Sequence, residues 1–158
     1  MDPTVKKQAL RTFTYGLYAV SCVEGATVNI FTANWLSQVS FEPPLVAVSV
    51  ENAAKSLPMI LQSRVFTINT LRAGQRGLAA QLGKSANQRP DKLAEIAYSI
   101  GANGCPILQD ALAWVACEVR GTLEAGDSTL ILAEVVDAGM LAEGQSLTMA
   151  EAGFRHAG

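Results

Sequence analysis

The sequence predicts a mainly β chain with short helices inserted between its early strands, closed as an antiparallel barrel. Three observations carry this expectation. At least six β-prone runs follow one another, most of them separated by hairpin turn signals such as Glu24-Gly25 and Gly126-Asp127-Ser128. Only two or three stretches change to the 3.6-residue period of an amphipathic helix. Strand and helix do not alternate regularly and no internal repeat exists, which argues against a doubly wound sheet. Closure, or pairing with a second copy, disposes of the edges such a sheet would expose.

Taken in order, residues 3–12 read as a short helix, with Asp2 as its cap, Pro3 in its first turn and Val5, Ala9 and Leu10 on one face. Thr14–Val23 is rich in β-branched and aromatic residues and reads as a strand, with Val28–Ala33 as its hairpin partner. Leu45–Val50 is the next strand. Ala53–Ser63 then places Leu57, Ile60 and Leu61 on one helical face, with Pro58 tolerable only in the first turn. Val65–Leu71 returns to strand, and Gly74–Gly83 reads as a second short helix. Residues 84–92 are the most polar run and read as a mobile loop in which Arg89 and Lys92 are solvated, a phosphate or nicotinamide contact being the alternative for both. Leu93–Ile100 is expected to make a helical turn or two before Gly101–Gly104. Pro106–Leu108 leads into a long strand, Ala111–Leu123, whose antiparallel partner is Thr129–Leu141. The tail after Gly144 reads as irregular.

The chain is organised around Asn29–Asn52. An apolar strand ends near Ala33, and a polar segment, Asn34-Trp35-Leu36-Ser37-Gln38, follows it. Phe41-Glu42-Pro43-Pro44 makes a stiff corner, because each proline fixes its own φ and biases its predecessor toward extended backbone. The strand after the corner ends in Glu51-Asn52, with Lys55-Ser56 beyond. Return of the chain brings two polar clusters together, enough to line one cleft.

At 158 residues one domain, spanning 1–158, is expected, large enough to bury a sizeable core. Hydrophobic residues are 49% and charged residues 16%, which excludes disorder and suggests that a second copy covers part of the surface. A net charge of −2 offers no footprint for nucleic acid or an anionic membrane, and no apolar run has the length of a span. The amino terminus lacks the apolar core of a signal peptide. Cys22, Cys105 and Cys117 form no ligand spacing and read as packed thiols in a reducing compartment, hence a cytoplasmic protein. The one histidine, His156, stands near the end, so a Ser-His-Asp or Cys-His arrangement has little to rest on. No clustered metal ligands and no Walker or GxGxxG loop occur, so an enzyme built from this chain borrows its chemistry from a cofactor.

Four segments, in order, resemble the flavin reductase-like family, the FMN-binding split barrel. They are TYGLYAV at 14–20, TANWLSQ at 32–38, SFEPPLVAVSV at 40–50, and CPIL at 105–108 with Trp114–Gly121 and the Gly126-Asp127 turn. The TYGLY and TANW pair is most similar to FMN domains of NADH:rubredoxin and flavodiiron-associated reductases. The resemblance implies an antiparallel split β-barrel that binds FMN (FAD being possible) and takes a hydride from NADH or NADPH. It implies further a homodimer with a redox partner protein or monooxygenase as electron acceptor. Carried onto this chain, it assigns Thr32, Ala33, Asn34, Trp35 and Leu36 to the flavin edge, and Ser37 and Gln38 to the ribityl chain or phosphate. Ser49, Val50 and Asn52 form the second wall, and Lys55 and Ser56 hold the phosphate at a helix start. The nicotinamide side falls to Asp127, Ser128 and His156. Ser128 stands where the family turn usually has histidine, and His156 where the tail often has tyrosine. Those departures leave open a second function, an FMN-binding electron carrier with little NAD(P)H turnover. Trp35 serves equally well as a core or interface aromatic. Ser49 and Lys55 also have ordinary readings, a backbone hydrogen bond and an exposed helix lysine. Thr32 and Asn34 do not, since polar groups interrupting an apolar strand need partners.

Overall fold

A computed structural model describes residues 1–156. Helix α1, Pro3–Leu10, starts as expected on Asp2, whose carboxylate accepts from the amides of Thr4 (2.7 Å) and Val5 (3.4 Å). Its apolar face is largely exposed: no α1 residue is buried, Leu10 alone is half-buried, and Val5 is 59% exposed.

Seven strands form one antiparallel sheet: β1 (Tyr18–Glu24), β2 (Thr27–Ala33), β3 (Leu36–Ser40), β4 (Leu45–Glu51), β5 (Val65–Thr70), and two long strands. In the numbering that follows the chain, a small hairpin of β6 (Tyr98–Ile100) and β7 (Pro106–Leu108) precedes the long β8 (Ala113–Ala125) and β9 (Ser128–Met140). The order across the sheet is β2-β1-β5-β8-β9-β4-β3. Strands β2 and β3 are consecutive in the chain yet lie at opposite edges, joined only by Asn34 and Trp35. The sheet therefore curls until its edges meet, and the barrel is split where they do. The mainly β reading with inserted short helices, an antiparallel split barrel, holds.

Two apolar clusters stabilise this curl. Alternation along β4 buries Val46, Val48 and Val50 on the inner face, where they meet Phe66, Ile68, Cys117, Val119 and Ile131. Helix α2 (Ser56–Ser63) adds Leu57, Met59 and Ile60 to the same cluster, with Pro58 in its first turn as expected. The second cluster gathers Leu17, Ala19, Ile30 and Leu71 with helix α3 (Arg76–Leu82) and helix α4 (Met149–Ala152).

Four local expectations are corrected. The segment 34–38, read as polar and given no strand, contributes Leu36, Ser37 and Gln38 to the edge strand β3, which pairs with β4. Leu93–Ile100 is not helical: turns lead into β6. The first strand starts at Tyr18 rather than Thr14, and Gly16 contributes only an isolated bridge to Thr148. The tail is ordered by α4, where the Thr148 hydroxyl accepts from the Glu151 amide at 3.1 Å.

Candidate functional site

The split creates the site. Because Asn34 and Trp35 cross from one sheet edge to the other, they belong to no named strand, although the Trp35 carbonyl accepts from the Ser49 amide at 3.0 Å. Beside this crossing lies a cavity of about 440 Å³, a size usual for small-molecule sites. Its lining includes Phe31, Thr32, Ala33, Asn34, Trp35, Ser49, Val50 and His156. Asn29, Lys55, Ser56, Lys84, Ser85, Asn87 and Lys92 line the rest, with Glu51 as the carboxylate.

Of the residues singled out in the sequence, nine line this cavity: Thr32, Ala33, Asn34, Trp35, Ser49, Val50, Lys55, Ser56 and His156. The Thr32 hydroxyl donates to the Ala79 carbonyl of α3 at 2.7 Å, so its proton is committed and its oxygen remains only as an acceptor. Ser56 is 2% exposed and its hydroxyl accepts from the Asn29 amide nitrogen at 2.9 Å. The His156 ring stacks on Trp35 with centroids 4.7 Å apart and 14° between planes, and its Nδ1 lies 3.2 Å from Asn34 Oδ1. Leu36 lies outside the lining and packs on the first apolar cluster; Ser37 and Gln38 are exposed on β3 and bond to their own strand. Asn52 binds the β8–β9 turn, its amide nitrogen donating to Gly126 and its carbonyl oxygen accepting from Thr129 at 2.8 Å. Ser128, directly opposite Glu51, is buried against the Asp127 carboxylate, to which its hydroxyl donates at 3.1 Å.

One expectation is overturned. Lys92 is not solvated: it is buried, and its ammonium donates to the carbonyls of Ile30 (2.9 Å) and Leu82 (3.0 Å). Burial pushes that ammonium below the usual lysine range. Arg89 does sit at the surface, beside Glu95 at 3.7 Å.

The model of the flavin reductase-like domain matches residues 10–158. The chain belongs to the flavin reductase-like family. The high molecular weight rubredoxin of Moorella thermoacetica is 32% identical over 145 residues, which take in 90% of this chain and 63% of that protein. The chain thus spans under two thirds of that relative's length. The flavin reductase of Pseudomonas putida is 28% identical over 160 residues, covering 98% of this chain and 89% of that one. Among solved structures, the styrene monooxygenase flavin reductase of Pseudomonas putida S12 matches with a TM-score of 0.77 and 32% identity over 89% of each chain.

The cavity of this flavin reductase-like domain can be tested against a flavin on its own atoms. Asn34 Nδ2 is a buried donor without a hydrogen-bond partner, on a residue that lines the cavity together with Trp35 and Val50. A buried amide left unpaired is costly, and a ring edge bearing carbonyl and imine acceptors would satisfy it. The lysines and serines of the same lining suit a phosphate. The residues present fit the group. Sequence reasoning missed Asn29, Phe31, Lys84, Ser85 and Asn87. Asn29 and Phe31 alternate with apolar neighbours like any strand residue, and residues 84–87 looked like plain loop.

Proposed function

We propose that this chain is an FMN-dependent NAD(P)H oxidoreductase domain that passes electrons from a nicotinamide donor to a soluble acceptor. Family membership supports flavin-dependent reduction as the class of chemistry. The observation that carries the finer reading is the unpaired, buried Asn34 amide on a cavity whose lining holds both aromatic side chains and three lysines. When bound there, a flavin supplies hydride acceptance at its N5 and onward electron delivery. The protein's part is positional. Asn34 and the backbone of residues 33–35 hold the ring edge, Ser49 and Val50 form the facing wall, and Lys55 with Ser56 hold the phosphate. FAD carries the same ring and remains within the proposal as a second flavin.

On the nicotinamide side we assign His156, seated on Trp35, and the Asp127-Ser128 turn, which Asn52 ties to the end of β4 next to the cavity-lining Glu51. A carrier with little turnover is the second reading, favoured by Ser128 standing where the family turn usually has histidine. No helix among the described residues is long and apolar enough to cross a membrane. The proposed setting is cytoplasmic, with a rubredoxin-like protein or a monooxygenase as acceptor and a second copy of the chain as structural partner.

The test is the visible spectrum of protein loaded with FMN, followed anaerobically on addition of NADH and then NADPH. Bleaching within seconds of either addition supports the reductase. A band that only dithionite bleaches supports the carrier. No retained flavin would remove both.

A further inference from the structure

Lys92 is 5% exposed, and no carboxylate among the described residues pairs with it. Among the described residues the ion pairs join Arg72, Arg89 and Arg120 to acidic side chains, and no lysine takes part. A buried cation without a counter-charge is costly, and the usual remedies are neutralisation or an anion. Carbonyls of Ile30 and Leu82 take two of the three ammonium protons, and the third is left over. The side chain stands on the wall of the cavity, where three lysines (Lys55, Lys84 and Lys92) meet one carboxylate, Glu51. That excess of positive charge matches a phosphomonoester, which carries nearly two negative charges at neutral pH.

We propose that Lys92 is the residue through which the cavity selects phosphorylated flavin over riboflavin, by presenting its remaining ammonium proton to the phosphate. This rests on the reading of the cavity as a flavin site. Lys55 is exposed and solvated, so its contribution is screened by water and salt; Lys92 is fixed at both carbonyls and desolvated. Burial lowers its proton affinity, and a phosphate at the third proton would restore the charged form. The same two carbonyl bonds place Lys92 between the end of α3 and edge strand β2, so a purely structural role is the competing account.

Affinities for FMN and riboflavin, read by flavin fluorescence quenching in the wild type and in Lys92→Met, separate the two. The expected result is wild-type binding of FMN about thirtyfold or more tighter than of riboflavin. In Lys92→Met, FMN affinity falls about tenfold or more while riboflavin affinity moves by less than about threefold. Equal loss for both flavins, or no loss for either, overturns the proposal. The variant strips the Ile30 and Leu82 carbonyls of their donor, so it can fail to fold. In that event the wild type decides, through its affinity ratio and the nitrogen NMR signal of the Lys92 ammonium. A ratio near one, or a signal shifted equally by FMN and riboflavin, overturns the proposal; a signal moved by FMN alone sustains it. Wild-type protein that binds neither flavin removes the flavin reading and this inference together. FMN binding that ignores Lys92 removes this inference alone.

Discussion

Asn34 is where the proposed flavin site should cost the ligand-free fold stability. Its amide nitrogen is buried without a partner, and leaving such a donor unmade costs about 1–3 kcal/mol. Asn34→Ala removes that cost. The expected outcome is a ligand-free melting temperature unchanged or raised, together with FMN affinity lowered about tenfold. Thermal melts with and without FMN measure both, and a variant that melts lower yet binds FMN normally would make Asn34 structural. The three thiols lie at the opposite extreme. Burial raises Cys22 from a usual 9.0 to about 11, and raises Cys105 and Cys117 to about 12, the neighbouring thiols adding to the shift in the last two. A raised folded value means that their contribution is fully present below pH 9.0 and is lost as pH climbs toward 11–12. Lys92, shifted down by burial, acts in the opposite sense, losing stability as pH falls below 10.5. Iodoacetamide at about pH 8 should label none of the thiols in native protein and all three in urea. Urea midpoints should then fall once pH passes about 9. Labelling of native protein at that pH would show that the thiols are less enclosed than the fold indicates.

Helix α2 poses the same trade at the scale of an element. Its N-cap position is Lys55, which makes no capping hydrogen bond and sets a cation at the positive end of the helix dipole. A local rule broken next to a cavity is what a ligand site looks like in sequence. Lys55→Gln should leave stability unchanged or raise it by about 0.3–1 kcal/mol while weakening FMN binding several-fold. Ser56→Ala should destabilise, because it orphans the Asn29 amide that Ser56 accepts at 2.9 Å. Unchanged FMN affinity in the Lys55→Ala, Ser56→Ala double variant would remove the phosphate role from both. Legibility in the sequence followed the same physics. Strands β1, β2, β4, β5, β8 and β9 were readable because each carries a run of apolar, β-prone residues. Strand β3 was not, since Ser37, Gln38 and Val39 are all exposed on an edge and show no inward alternation. The β6–β7 hairpin and α4 were lost through shortness, at three, three and four residues. Lys92 was misread because a polar loop says nothing about which of its side chains turns inward.

At the scale of the molecule, the polar clusters after β2 and after β4 were visible in the sequence as two walls of one cleft. What brings them together, a two-residue link between opposite edges of one sheet, is a property of the strand order and has no local mark. The outer face of that sheet carries the last prediction. Along β4 the valines point inward, so Ala47 and Ser49 point out, and the register carries this face across to Leu132 and Leu130 on β9 and on to Gly121 and Leu123 on β8. Leu123 is 64% exposed, Leu132 36%, and Phe41 at the corner after β3 90%. Exposed apolar side chains along this face are expected to form an interaction surface, with a second copy of the chain as the partner that the low charge content suggests. Light scattering should therefore give twice the 16.7 kDa chain mass. Leu132→Glu sets a carboxylate in the middle of the face at an already exposed position, so it should yield a folded monomer. Ser49 lies on this face and also lines the cavity, so the monomer should bind FMN more weakly as well. A wild type of single-chain mass would remove the dimer. A Leu132→Glu monomer with unchanged FMN affinity would keep the dimer and detach it from the flavin site.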